Sequence, residues 1–372
     1  MESVKQSSLV LSYRGHSVEI ASLDSPDKPW IRDFPVPVHA FGPGRGSYGY
    51  APKFTRWLKD RRTDYDAVIV HGIWQYNSFG VWRGLRGTNT PYFVFPHGML
   101  DPWFNRTYPL KHLKKLLYWP WAEYRVLRDA AAVLFTSEEE RRLARESFSF
   151  YSCHEKVVNY GTASPVGLED AKEKFLETYP RLRGKRLLLF LGRLHEKKGC
   201  DLLIEAFASM PATADGTEPP HLVLAGPCAH DEYLEDLKKL VSRNGLENSI
   251  TFTGMLSGAL KWGAFSASEA FILPSHQENF GISVVEALAC GTPVLISNKI
   301  NIWREIVNDG AGFAEEDDLG GTVRLIQQWN QLAPAEQVAM RQNARKCFER
   351  RFEINRAVDS LLQVLSDHVK ST

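Results

Sequence analysis

The chain has 372 residues, 44% of them apolar and 24% charged, and its 45 basic residues almost balance 44 acidic ones. That length predicts two domains with sizeable cores, and the even charge argues against a general nucleic-acid binder. Five scattered cysteines without a CxxC pair exclude a recognisable zinc knuckle and argue against a disulfide scaffold, which favours a reducing compartment.

No apolar run reaches the ~18 residues of a membrane-spanning helix. Met1 to Gln6 leads into only a short apolar patch and does not read as a secretory leader. The expected location is the cytoplasm, as a soluble protein or one peripheral to the inner face of a membrane.

In chain order, Val4 to Arg14 reads as a helix and leads through Gly15-His16 into a strand from Ser17 to Ser22. The segment Gly44-Arg45-Gly46-Ser47-Tyr48-Gly49 spells GxGxxG. However, the preceding Pro35 to His39 is broken by prolines, and Asp66 opens a strand where the dinucleotide fingerprint needs an acid at a strand's end. It reads as a flexible glycine loop. Further strands are expected at Asp66 to His71, Tyr92 to Pro96, Ala131 to Thr136 and Lys156 to Tyr160. The intervening helices are Pro52 to Arg61, Ser78 to Leu85, Leu110 to Leu127 and Glu138 to Ser147.

After the turn chemistry of Gly161 to Pro165 and a charged helix, Leu168 to Tyr179, the alternation resumes. Strands are expected at Arg186 to Leu191, Leu222 to Ala225, Ile250 to Thr253, Ala270 to Pro274 and Pro293 to Ser297. Helices are expected at Cys200 to Met210, Asp231 to Asn244, Gly258 to Ala267 and Ser283 to Ala289, with a polar surface loop over Pro211 to Pro220. The tail from Ala333 to Val369 is helical, punctuated near Arg351-Phe352. Strands separated by helices of this length indicate parallel sheets, so the pattern predicts two α/β domains. The domains expected are 1–165 and 166–350, with 351–372 as a terminal helix crossing back to the first.

The chemistry concentrates at strand ends. Gly192-Arg193 and Glu196-Lys197-Lys198-Gly199 come after a strand, where open α/β sheets bind ligands, so Arg193 and Lys198 sit where a phosphate would collect. A solvated basic turn would have the same composition. Further on, Glu278-Asn279-Phe280-Gly281-Ile282 enters a helix that carries Glu286. The N–H groups at that helix start suit a diphosphate, and the two carboxylates suit sugar hydroxyls, one on a hexose and one on a ribose. A capping Glu and a solvated Glu would also account for them. In the first half, Pro96-His97-Gly98 and His71-Gly72-Ile73-Trp74 each close a strand. Alone, a histidine such as His97 reads as structural, and the His71 to Trp74 segment fits equally an acceptor-side lining or a loop aromatic packed under a cleft. Leu110 to Trp121 mixes basic and aromatic residues on one helix, which fits either a solvated amphipathic helix or a surface resting on anionic lipid.

These pieces together resemble the retaining nucleotide-sugar glycosyltransferases of family 4, which have the GT-B architecture of two Rossmann-like domains with parallel sheets facing a central cleft. The residues that carry the resemblance are Gly192-Arg193 with Glu196 to Gly199, Leu224-Ala225-Gly226, Phe252-Thr253-Gly254, Leu273-Pro274-Ser275, Glu278 to Gly281 with Glu286-Ala287, and Ala289 to Val294.

The resemblance implies transfer of a hexose from a nucleotide diphosphate sugar to a saccharide or lipid-linked glycan, as in surface polysaccharide assembly. It implies no metal, and no cofactor beyond the donor itself. Arg193 and Lys198 would bind the donor diphosphate, Glu278 its hexose, Glu286 its ribose, and the backbone of Gly281 and Ile282 the sugar or phosphate. Met255 and Leu256 would line the base pocket, and His97 would face the donor sugar from the first domain. A nucleotide-sugar epimerase or hydrolase on the same fold is the enzymatic alternative, and a non-catalytic donor-binding protein the other. In one respect the chain departs from the family. Val4 to Arg14 takes the place of the first helix, so the opening strand and glycine loop are expected to be missing from the first domain.

Overall fold

The computed structural model describes residues 2–210 and 219–369. The chain forms two compact units: unit 1 runs to Gly161 and takes up the chain again at Ile354, and unit 2 is Thr162–Glu353. Unit 1 opens with α1 (Glu2–Tyr13), β1 (Ile20–Ser22), α2 (Pro29–Arg32), β2 (Val38–Ala40), α3 (Pro52–Arg61), β3 (Val68–His71) and α4 (Tyr76–Leu85). It continues through β4 (Tyr92–Phe95), α5 (Trp103–Thr107), α6 (Pro109–Tyr118), α7 (Glu123–Arg128), β5 (Ala132–Phe135), α8 (Glu138–Ala144) and β6 (Glu155–Val157).

Unit 2 begins with α9 (Leu168–Thr178), β7 (Leu187–Leu191), α10 (Cys200–Ala208), β8 (His221–Ala225), α11 (Asp231–Arg243) and β9 (Ile250–Gly254). Next come α12 (Gly258–Ala267), β10 (Ala270–Leu273), α13 (Ile282–Ala289), β11 (Val294–Ser297) and α14 (Trp303–Asn308). β12 (Gly312–Glu315), α15 (Leu319–Gln331) and α16 (Pro334–Cys347) complete it, and α17 (Ile354–Ser366) returns to unit 1.

Among the described residues every strand pair is parallel. The strands β4, β5, β10 and β11 are buried at every position, as their largely apolar sequences fit for strands covered by helices on both faces. In unit 2 the order is β12-β11-β10-β7-β8-β9, so the direction of winding reverses between β7 and β10. Unit 1 holds two separate sheets, β1-β2 and β3-β4-β5-β6. Its core includes Phe93, Phe95 and Leu134 from the sheet, with Leu361 and Val364 of α17 packed on them.

Several elements depart from the expectations. β2 forms directly behind Pro35 and Pro37, because Pro37 precedes the strand and only its carbonyl is used, accepting the N–H of Ile20 at 2.9 Å. The helix expected over Leu110 to Leu127 is broken, with α6 ending at Tyr118 and α7 starting at Glu123 on either side of Trp119-Pro120. Pro120 has no N–H to continue the ladder. The structure adds β12, α14 and α15 beyond the strands and helices anticipated. The loop expected over Pro211 to Pro220 lies, as far as residue 218, outside the described residues. The tail bends through a π-helical turn at Phe348–Phe352, where Arg350 and Arg351 both pair with Asp309; Arg351 Nε lies 2.8 Å from the Asp309 carboxylate.

α9 and α12 approach each other closely in unit 2. A Cβ on Gly263 would lie 2.0 Å from the carbonyl oxygen of Ala171 and 2.8 Å from Phe175 Cβ. Gly263→Ala must therefore push the helices apart. It should destabilise unit 2 by about 1–3 kcal/mol, read as a lowered midpoint in urea unfolding.

Candidate active site

The strand order reverses between β7 and β10, and the carboxyl ends of strands at such a reversal are where open parallel sheets take ligands. Both loops there are drawn together. The chain leaving β7 passes Gly192, whose carbonyl oxygen would lie 1.7 Å from a Cβ on Gly226, so only glycine fits at position 226. Arg193 stands exposed just beyond. Glu196–Lys198 then forms a 3-10 turn capped by His195 Nδ1, which accepts the Lys197 N–H at 3.1 Å. The loop after β10 binds this turn directly: the Lys197 carbonyl accepts the His276 N–H and the Ser275 hydroxyl, each at 2.9 Å. Gly199, at φ 67°, could not be another residue, since a Cβ would lie 2.5 Å from the Pro274 carbonyl oxygen.

That packing delivers Lys198 to Glu278. The Lys198 ammonium forms an ion pair with the Glu278 carboxylate, both side chains about one-sixth exposed. The Glu278 backbone is tied to the loop after β11, its N–H donating to Lys299 O at 3.0 Å and its carbonyl accepting the Asn301 N–H at 3.1 Å. Gly281 caps α13 at φ 69°, a left-handed conformation that favours glycine, and Ile282 begins the helix with an exposed side chain. Beyond it Glu286 is buried and accepts from Lys261 Nζ at 2.7 Å, while that ammonium lies 4.1 Å from the Trp262 ring centroid. Lys261, which the sequence reading did not single out, joins this candidate site through Glu286; it sits on α12, 25 positions from its partner, in no motif. After β9, Met255 is 71% exposed while Leu256 is turned inward at 8%, so the two point to different environments.

In unit 1, His97 comes after β4 with φ 49°, outside the ordinary range for a residue with a side chain. Its turn is held by a buried carboxylate: Glu140 accepts the Gly98 N–H at 2.6 Å with one oxygen, and the Thr136 N–H and hydroxyl at 2.8 and 2.7 Å with the other. His97 Nε2 lies 2.9 Å from His71 Nδ1 and its ring is nearly parallel to those of His71 and Phe95. Burial lowers the His97 pKa to about 4; burial, and then the charge of His97, lower that of His71 to about 3. Both rings are neutral at pH 7, so one N–H donates and the other nitrogen accepts.

The next residues of this motif are strained too. Trp74 has φ 72°, and its N–H donates to Glu123 at 2.8 Å, as does the Ser78 hydroxyl at 2.9 Å. The glycine loop at 44–49 folds back on itself through the Arg45–Tyr50 bridge and ends before α3, so it is not the strand-to-helix turn of a dinucleotide site.

With the geometry in place, the chain can be set beside known proteins. Residues 171–347 match the family model described as "Glycosyl transferases group 1", and residues 10–161 match the "Glycosyl transferase 4-like domain". Both units are glycosyltransferase-family domains. Among curated relatives, the chain is 28% identical over 193 residues to the alpha-D-kanosaminyltransferase of Streptomyces kanamyceticus, which aligns 51% of this chain and 48% of that protein. It is 27% identical over 342 residues to the alpha-monoglucosyldiacylglycerol synthase of Streptococcus pneumoniae, covering 84% of this chain and 71% of that one. The chain thus spans about half the length of the first of these relatives. Among solved structures, HepE from Anabaena, in complex with UDP and glucose, superposes with a TM-score of 0.76 at 18% identity over 98% of this chain and 96% of that one. The fold is GT-B, with two Rossmann-like domains built on parallel sheets.

The environment of Glu123 makes a pH prediction. Burial raises its pKa to about 7, against the two hydrogen bonds it accepts. Above the ordinary carboxylate pKa the unfolded chain releases this proton and the folded chain retains it, so stability falls as pH rises from about 4.5 through 7. Glu123→Gln keeps an acceptor for Trp74 and Ser78 without the charge. The melting temperature of the variant relative to wild type should rise steadily between pH 5 and pH 8.

Proposed function

We propose that the chain is a retaining hexosyltransferase, moving a hexose from a nucleotide diphosphate sugar to a saccharide or lipid-linked glycan in surface polysaccharide or glycan assembly. The observation that carries this reading is the Lys198–Glu278 pair at the switch point of the unit 2 sheet, which sets a cation for a diphosphate beside a carboxylate for sugar hydroxyls. HepE, whose structure holds UDP and glucose, shares the fold, which supports a donor of that class.

In this mechanism Arg193 and Lys198 meet the negative charge that grows on the diphosphate as the bond to the anomeric carbon breaks. N–H groups of Gly281 and Ile282 at the start of α13 add to that field. Glu278 accepts hydrogen bonds from the hexose, and Glu286, held by Lys261, accepts from the ribose. Met255 and Leu256 border the base. His97, neutral and fixed by His71, binds the donor sugar by hydrogen bonding. The acceptor oxygen bonds to the anomeric carbon on the face the diphosphate leaves, and the departing phosphate takes the acceptor's proton. No metal and no cofactor beyond the donor enters this scheme.

Lys198→Ala and Glu278→Ala should each lower transfer by about 10²–10³ with the melting temperature nearly unchanged, since both side chains stand at loops rather than in a core. Wild-type transfer rates in both variants would refute the assignment. Donor consumed equally fast with acceptor omitted would favour an epimerase or hydrolase, and donor binding without turnover a non-catalytic protein.

Peripheral contact with a membrane belongs to the same proposal. No helix among the described residues is long and apolar enough to cross one. On α6, however, no residue is buried, and Leu110, Leu113 and Leu117 are 80%, 57% and 71% exposed, with Trp121 beyond them at 71%. The three leucines recur at helical spacing on α6, with Lys111 and Lys114 exposed between them. An apolar stripe edged with ammonium groups matches an anionic bilayer surface, and the relative named for a glucosyldiacylglycerol product supports a lipid-borne acceptor. The chain should co-sediment with vesicles containing phosphatidylglycerol, and Leu113→Asp combined with Leu117→Asp should abolish this. Equal sedimentation of both proteins would remove the membrane from the proposal.

A further inference from the structure

The loops that carry Lys198 and Glu278 are joined to a further carboxylate, on a loop that the strand-end motifs do not include. Asp317 follows β12, the edge strand of the unit 2 sheet, which lies two strand spacings, about 10 Å, from β10. Its side chain nevertheless reaches the loop after β10, where Oδ2 lies 2.8 Å from His276 Nδ1. The other oxygen, Oδ1, lies 3.6 Å from Lys299 Nζ in the loop after β11. An ionised carboxylate only accepts, so the His276 ring carries a hydrogen on Nδ1.

Both partners are residues whose main chains hold the Lys198–Glu278 pair. His276 donates its N–H to the carbonyl of Lys197, the neighbour of Lys198, at 2.9 Å. Lys299 accepts the N–H of Glu278 at 3.0 Å through its own carbonyl. One oxygen of Asp317 is thus linked to the Lys198 turn and the other to the Glu278 backbone.

Asp317 is itself held in place. Only residues 316–318 separate β12 from α15. Asp318 caps that helix, its Oδ1 accepting the Gly321 N–H at 2.7 Å. A Cβ on Gly321 would lie 2.1 Å from the Glu316 carbonyl oxygen, so the loop and the helix start are in direct contact. On the other side, the Glu316 carboxylate accepts from Lys299 Nζ at 2.9 Å and from Asn298 Nδ2 at 2.6 Å. A short loop braced on both sides is a fixed post.

Stability does not account for this arrangement. The side chains of His276, Lys299 and Asp317 are each between a quarter and two-fifths exposed, and ion pairs so open to water add little to folding. Their effect is on geometry, where a shift of about 1 Å in a reacting group can cost a large factor in rate.

We propose that Asp317 is a positioning residue for the Lys198–Glu278 pair. Through His276 and Lys299 it sets the spacing of the loops after β7, β10 and β11, and so the separation of the cation and carboxylate that meet the donor. This inference rests on the transferase reading of that site.

Asp317→Ala tests it, followed by residue-resolved hydrogen exchange and by transfer kinetics. Exchange at the His276 and Glu278 amides should quicken by at least about fivefold, with Leu295 and Ile296 of β11 unchanged, since only the loops are released. The melting temperature should move little. The kcat for transfer should fall by about tenfold with KM nearly constant, as expected when groups acting in the transition state are misplaced. Added to Glu278→Ala, the same substitution should cost less than about threefold, because the pair it positions is gone. A merely structural residue would repeat its full loss there and would speed exchange throughout unit 2. If Asp317→Ala does not fold, His276→Ala cuts the same link from its other end and is judged by the same readings. The proposal fails if the two amides exchange at the wild-type rate. It fails equally if Glu278→Ala is impaired while Asp317→Ala keeps its kcat, or if the two losses simply multiply. Exchange needs no turnover, so it decides on Asp317 even where Glu278→Ala transfers at the wild-type rate and the transferase reading falls.

Discussion

Much of unit 2 hangs on one steric allowance, the absence of a side chain at Gly199. Because nothing projects there, the turn after β7 lies directly on Pro274, and the Lys197 carbonyl comes within reach of Ser275 and His276. Those bonds fix the height of the second loop above the sheet. Glu278 then meets the loop after β11 through two backbone bonds, and Lys198 meets Glu278. Three strand ends are thereby locked into one surface before any ligand arrives. Such a surface needs no reorganisation to receive charge, which is the condition under which fixed dipoles and cations contribute most to a reaction.

Unit 1 solves a related problem with buried carboxylates. His97 and Trp74 both have left-handed backbones, conformations that persist only where surrounding bonds enforce them. Glu140 and Glu123 supply that enforcement from helices, each accepting from the residue itself or its neighbour. Neither was visible beforehand. Glu138, Glu139 and Glu140 are identical in sequence and all stand in the first turn of α8, yet only Glu140 is buried, because its position on the turn faces the end of β4. A carboxylate that acts through the backbone of another segment leaves no motif.

The same distinction explains what could be read in advance. The buried strands announce themselves as runs such as Leu187 to Leu191, since a strand covered on both faces has no polar positions to disguise it. The placing of Arg193, Lys198 and Glu278 on the turns after their strands was legible through motif spacing, as it depends on local sequence. Pairings across elements were not, Lys261 with Glu286 and His71 with His97 among them. β2 was hidden by two prolines that look prohibitive until their place outside the ladder is known. The break between α6 and α7 was hidden by apolar residues that continue a helical rhythm through a proline that cannot.

The path of the chain has a bearing on how the protein is made. Unit 2 is a single uninterrupted stretch whose two ends lie side by side, Thr162 N–H donating to Phe352 O at 3.0 Å. It is, in effect, an insert within unit 1. α17, which supplies Leu361 and Val364 to the core of unit 1 and whose Asp359 pairs with Arg14 just past α1, comes after all of it. On a ribosome, synthesis at about 5–20 residues per second delivers the whole of unit 2 before that last helix emerges. The usual amino-to-carboxyl order of domain completion is thus inverted: unit 1 must wait, with one face of its sheet uncovered, until the whole of unit 2 has been made.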